Sequence, residues 1–130
     1  SWLKENILVL TIPILGAIKC NKKVAGELAK IFSRIEKDGR ADLIDVKDTK
    51  VNGGCWVPRH ILWNKNKPLS AHSWGIAIDI NPTTNPYGSK GTEKQKELAK
   101  YFEEQGWEWG GLWKIPDPMH FEWCKRPAEV

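Results

Sequence analysis

The stretch Ile76-Ala77-Ile78-Asp79-Ile80 constrains the fold more than any other part of the chain. Ile76, Ile78 and Ile80 fall on one side, Ala77, Asp79 and Asn81 on the other, which is the period of a strand with one apolar face. The opposite face carries an aspartate in mid-strand. If that face is covered, an unpaired carboxylate there costs on the order of several kcal/mol. Asp79 therefore requires a cation, a set of hydrogen bonds or water. His72 stands a few residues earlier, in a turn flanked by serine and glycine.

Two helices surround this strand in the sequence. Val24, Leu28, Ile31, Phe32 and Ile35 form a single apolar stripe at helical spacing, and Gly39 supplies a left-handed stop. The second helix starts at Thr92, with Gln95 completing a capping box. Leu98, Ala99 and Phe102 are its buried stripe and Gly106 its end. Short strands are expected at 43–46, 61–63, 75–80, 107–109 and 119–123. Turn-rich pieces at 52–54, 81–89 and 115–118 separate them. The mixed order, without regular βαβ alternation, predicts an α+β fold with a small, mostly antiparallel sheet packed with helices.

The chain of 130 residues is long enough for one core and short for two, so residues 1–130 read as a single domain. It opens on Ser1, compatible with excision from a longer chain. The longest apolar run, residues 7–18, falls short of the ~20 residues of a bilayer span and is broken by Pro13 and Gly16. It reads as a core strand or extended packing segment, with no membrane span and no recognisable signal peptide. The net charge of +4 is diffuse, and Lys94, Lys96 and Lys100 lie on a helix face. That pattern is a solvated surface rather than a nucleic-acid footprint. Three cysteines, Cys20, Cys55 and Cys124, leave an odd thiol and match no metal knuckle. A disulfide framework is not expected; the cysteines read as buried thiols of a reducing compartment. Eight tryptophans imply a thick aromatic core or a ring-lined groove.

Histidine is scarce, at positions 60, 72 and 120. His72 and His120, as neutral imidazoles, together with Asp79 make two nitrogens and one carboxylate. With a fourth position open to water, that is the donor set of a catalytic zinc site. His120 and Glu122 share one face of the 119–123 strand, Phe121 and Trp123 the other. Glu122 reads as a simple strand-face carboxylate or as a partner of the site, the first being favoured. Asp117, between two prolines, also reads as a turn residue. His60 stays outside the pattern, and Cys124 reads as structural.

The segment LSAHSWGIAIDINP resembles the SxHxxGxAxD signature of the zinc D,D- and L,D-peptidases. That family includes VanX- and VanY-type carboxypeptidases and phage L-alanyl-D-glutamate endolysins. WEWGGLWKIPDPMHFEW is similar to the family's second signature, and GGCWVPRHI to its arginine-bearing segment. The resemblance spans roughly residues 50–124. It implies a hedgehog/D,D-peptidase-like α+β fold and a zinc peptidase catalytic domain with one Zn2+ per chain. It implies His72, Asp79 and His120 as zinc ligands, Asp117 as general base, Arg59 as the cation on the scissile carbonyl oxygen, and Ser70 as a substrate contact.

The substrate so implied is a peptidoglycan stem peptide, with no nucleic-acid partner, and a monomer is expected. L-Ala–D-Glu endopeptidase cleavage is favoured on compact size, reduced-type cysteine use and the missing leader. D-Ala–D-Ala carboxypeptidase cleavage and a non-catalytic wall-binding domain with a structural metal are the alternatives. Action at the bacterial cell wall is expected, reached by phage-lysin-type release or after removal of a leader.

Overall fold

The computed structural model describes residues 2–55 and 71–123. The described chain runs α1 (Trp2–Asn6), β1 (Ile7–Ile12), β2 (Gly16–Asn21), α2 (Lys22–Lys37) and a 3-10 turn at Ala41–Leu43. It continues with α3 (Val46–Asn52), a 3-10 turn at Ala71–Trp74, β3 (Ala77–Asp79), α4 (Glu93–Glu103) and β4 (Trp107–Trp109). A third 3-10 turn, Gly110–Leu112, leads towards β5 (His120–Trp123). The class is α+β, as expected from the mixed order of elements.

The apolar run at 7–18 is not one strand. It folds into the antiparallel hairpin β1–β2, pairing Ile7 with Asn21 and Ile12 with Gly16. The bend falls where Pro13 and Gly16 interrupt the run; the Leu15 N–H closes it onto the Pro13 carbonyl at 2.8 Å. Both long helices form where the apolar stripes lie. All five stripe residues of α2 are buried. Asn21 caps its start, accepting from the Lys23 N–H at 2.9 Å. At its end, Gly39 takes φ of 70°. The Gly39 and Arg40 amides there bond back to the Glu36 and Ile35 carbonyls, both at 3.0 Å.

The strand expected at 43–46 is absent. Leu43 and Ile44 are buried at a corner instead. Asp45 then caps α3, its carboxylate accepting from the Asp48 N–H at 3.1 Å. Two adjacent apolar residues followed by a capping aspartate start a helix, whereas a strand with one buried face needs alternation. The strand expected at 61–63 lies outside the described residues.

The second sheet has the order β3-β5-β4, all antiparallel, with β5 in the centre. Register sorts its two faces. Ile78 pairs with Phe121, and Phe121 with Trp109. This face joins Phe32 and Phe102 in the core: Phe102 stacks on Phe121 with centroids 4.4 Å apart and meets Phe32 edge-on at 6.1 Å. Burying each such ring contributes roughly 1.5–3 kcal/mol. Trp107 and Trp109 belong to this core. On the other face, Asp79 pairs with His120 and Ala77 with Glu122, while Glu108 lies opposite Glu122. The strand period thus separates packing residues from polar ones across a sheet of three short strands.

Candidate metal centre

Three elements bring the candidate residues together. The 3-10 turn Ala71–Trp74 carries His72, β3 ends on Asp79, and β5 begins with His120. Pairing of Asp79 with His120 follows from the β3–β5 register. All three side chains are buried. His72 Nε2 lies 3.1 Å from Asp79 Oδ1, and His120 Nδ1 lies 3.2 Å from both. Ligand bonds of about 2.0–2.1 Å in a tetrahedral site place neighbouring donors about 3.3–3.4 Å apart. The observed triangle needs to open by only a small amount to take such an ion.

Each imidazole is oriented from behind. His72 Nδ1 lies 2.9 Å from the Cys55 carbonyl oxygen. That oxygen only accepts, so Nδ1 carries a hydrogen there and Nε2 is the ring atom turned towards Asp79. His120 Nε2 lies 2.7 Å from Glu122 Oε1, leaving Nδ1 for the shared point. Glu122 is therefore a partner of the site, which corrects its reading as a simple strand-face carboxylate. The Trp113 ring lies against His120, centroids 5.2 Å apart, and its Nε1 donates to Glu108 at 2.9 Å.

The electrostatics are those of a charged cluster held out of water. Burial alone would raise the Asp79 carboxyl, but hydrogen bonds from His120 and His72 hold it well below the usual carboxylate range. Burial alone would lower His120, yet Asp79 and Glu122 push it up to about 9. A protonated His120 lies between the Asp79 and Glu122 carboxylates and balances their charge. Binding a metal displaces that proton.

Asp117 sits on the turn that leads into β5. Its carbonyl accepts from the His120 N–H at 3.0 Å, and its own N–H donates to Gly110 at 2.8 Å. The Asp-x-x-His spacing is thus a β-turn with proline at its second position. Gly110 is required there, since a Cβ would collide with the Asp117 carbonyl. Gly53 is required likewise, because a Cβ would meet the Asp79 carbonyl where the Gly54 segment bridges the edge of β3. Arg59, Ser70, His60 and Cys124 lie outside the described residues.

The cysteines depart from expectation. Cys20 and Cys55 are joined as a disulfide, with Cα atoms 5.4 Å apart. The reading of reduced, unpaired thiols is wrong for these two. Their spacing carries no motif, and only the hairpin brings Cys20 to the segment before the His72 turn.

Among known families, residues 63–123 match the model described as D-alanyl-D-alanine carboxypeptidase. The matched span holds Ser70, His72, Asp79, Asp117 and His120, and Arg59 falls just before it. No curated protein and no solved structure matches the chain significantly.

Proposed function

We propose, from the match of residues 63–123 to the D-alanyl-D-alanine carboxypeptidase family, that the chain is a zinc-dependent peptidase hydrolysing amide bonds of peptidoglycan stem peptides. The observation that carries this reading is the mutual approach of His72 Nε2, Asp79 Oδ1 and His120 Nδ1 within 3.2 Å, with both imidazoles held from behind. These three residues would hold the ion. Bound there, zinc supplies a Lewis acid and an activated water at neutral pH.

The chain's own groups then divide the work. Asp117 accepts a proton from the attacking water as the amide carbon is attacked, and returns it to the departing amine as the C–N bond breaks. Arg59 donates to the carbonyl oxygen, where negative charge builds in the transition state. Ser70 contacts the substrate. Glu122 and the Cys55 carbonyl keep the two imidazoles aimed.

Two cleavage modes fit this chemistry. Removal of the terminal D-Ala agrees with the description of the matched family. The Cys20–Cys55 disulfide also removes reduced-type cysteine use as a reason to prefer an L-Ala–D-Glu endopeptidase. We therefore place D-Ala–D-Ala carboxypeptidase activity first and endopeptidase activity second.

The zinc-loaded chain should release new amino groups from purified sacculi and from a defined pentapeptide muropeptide, and chelator should stop it. Fragment masses separate the modes: released D-alanine marks the first, a freed D-Glu amine the second. Sedimentation with sacculi without hydrolysis under any divalent metal would sink the peptidase reading and leave a wall-binding module.

A further inference from the structure

Besides the His72, Asp79 and His120 group, the buried polar side chains of the described residues are Asn21, Thr49, Asn81, Asn85 and Gln95. Gln95 is the one that reaches both ligand-bearing segments. It lies in the first turn of α4, fully buried. Its Nε2 donates to the Ile80 carbonyl and to the Pro118 carbonyl, both at 2.9 Å. Its Oε1 accepts from Asn81 Nδ2, also at 2.9 Å. Ile80 follows Asp79 directly. Pro118 stands between Asp117 and His120. One amide therefore straps the exit of the strand bearing Asp79 to the turn bearing Asp117 and His120.

The capping-box pattern implies a different job for this side chain. In a reciprocal box, Gln95 would bond the Thr92 N–H. Instead Asn85 Oδ1 takes that N–H at 2.9 Å, and only the Thr92 side chain's arm, accepting from the Gln95 N–H at 3.1 Å, is kept. Asn85 thereby releases the Gln95 amide for the site. The strap is rigid because every polar atom of the amide is bonded and out of water. The Pro118 carbonyl is further fixed by Trp109 Nε1 at 2.8 Å.

We propose that Gln95 is a positioning residue of the metal centre. Its two donors set the spacing between Asp79 and the Asp117–His120 turn. They thereby set the affinity for the ion and the placement of Asp117 beside it. Gln95 touches neither ion nor substrate. The proposal rests on the metallopeptidase reading and adds a residue outside its motifs.

The test compares Gln95→Met, which keeps shape and loses both donors, with Thr92→Ala, which weakens the same helix end and keeps the strap. Zinc affinity is read by chelator competition, geometry by the absorption of the cobalt(II) form, and folding by the urea midpoint of the metal-free chain. Gln95→Met should weaken zinc about 10-fold or more, in line with outer-shell partners elsewhere, and alter the cobalt spectrum. Thr92→Ala should lower the urea midpoint and leave affinity and spectrum unchanged. Equal affinities for Gln95→Met and the unaltered chain overturn the proposal, as does a parallel loss in Thr92→Ala.

If Gln95→Met does not fold, the unaltered chain decides. The side-chain amide resonances of Gln95 should shift as zinc is added, and resonances that stay put overturn the strap. A chain that binds zinc through an intact strap but cuts no wall peptide sinks the peptidase reading alone.

Discussion

His72 and His120 aim one nitrogen each at the same point, 3.2 Å apart, yet their rear supports differ in kind. His72 leans on a neutral backbone carbonyl, that of Cys55. The disulfide ties Cys55 to the end of the β1–β2 hairpin, where Asn21 also donates to the Trp74 carbonyl at 3.0 Å. A covalent clamp and a side-chain amide thus hold a short turn that has no sheet of its own. His120 leans on a carboxylate, Glu122, and sits in the central strand of the sheet. A carbonyl orients a ring without adding charge, whereas a carboxylate orients it and raises its basicity. One histidine is held by chain connectivity, the other by register and charge.

The largest effect expected from this difference concerns the metal-free protein. His120→Ala strips the Asp79 and Glu122 carboxylates of the cation between them and should cost about 3–5 kcal/mol of stability. His72→Ala leaves the Cys55 carbonyl unpaired and takes one of two imidazole contacts from Asp79, but the His120 cation stays, so it should cost less, about 1–3 kcal/mol. Urea denaturation in the presence of chelator measures both, and equal costs would break the comparison. Next comes the clamp. Opening the Cys20–Cys55 loop, whose ends are 35 residues apart, by Cys20→Ser should cost about 2–4 kcal/mol. It should also weaken zinc binding through the loosened His72 arm. Titration with zinc before and after mild reduction checks this; unchanged affinity would mean that His72 does not depend on the clamp.

Such a split was only half legible in the sequence. Periodicity exposed α2, α4 and the faces of β3 and β5, because each is a local pattern with a single burial partner. The His72, Asp79 and His120 group was legible from scarce histidines and a charge in mid-strand. What local pattern cannot carry is long-range pairing. The hairpin hid inside one apolar run because β1 and β2 are both apolar enough to pass for a single strand. Cys20 and Cys55 carry no spacing motif, so nothing short of the hairpin names them as partners. Alternation placed Glu122 on the face of His120, but a strand-face carboxylate becomes a histidine partner only when the ring turns towards it. Gln95 matched a helix cap, and the bond that Asn85 makes in its place comes from a loop residue seven positions before Thr92, outside the cap pattern.

Protonation offers a finer test of the same difference. With no metal bound, Asp79 and Glu122 push His120 up to about 9 from an ordinary value of 6.5. A raised folded-state value stabilises fully below the unfolded value and loses that contribution as pH rises through the folded one. Asp79, held low, acts in the opposite sense: it stabilises above the ordinary carboxylate range and is lost in acid. The metal-free chain should therefore lose on the order of 2 kcal/mol between neutral pH and about pH 10 on account of His120. The zinc-loaded chain should show no such alkaline loss, because a ligating nitrogen carries no proton. Thermal melts across this range, with and without zinc, measure the contrast; a flat metal-free profile would mean that the carboxylates do not hold the His120 proton.

The smallest effect isolates charge from orientation at a single atom. Glu122→Gln keeps an oxygen to accept from His120 Nε2 and removes only the negative charge. Zinc affinity should fall about 10-fold, the lower end for an outer-shell partner. Glu122→Ala removes orientation as well and should fall further, towards about 100-fold. The gap between the two variants measures what aiming the ring contributes; the gap between Glu122→Gln and the unaltered chain measures what charge contributes. The Cys55 carbonyl behind His72 supplies aim alone, so the first gap is the one that both histidines share. If Glu122→Ala binds zinc as tightly as the unaltered chain, the carboxylate is a bystander and the two supports do not differ in effect.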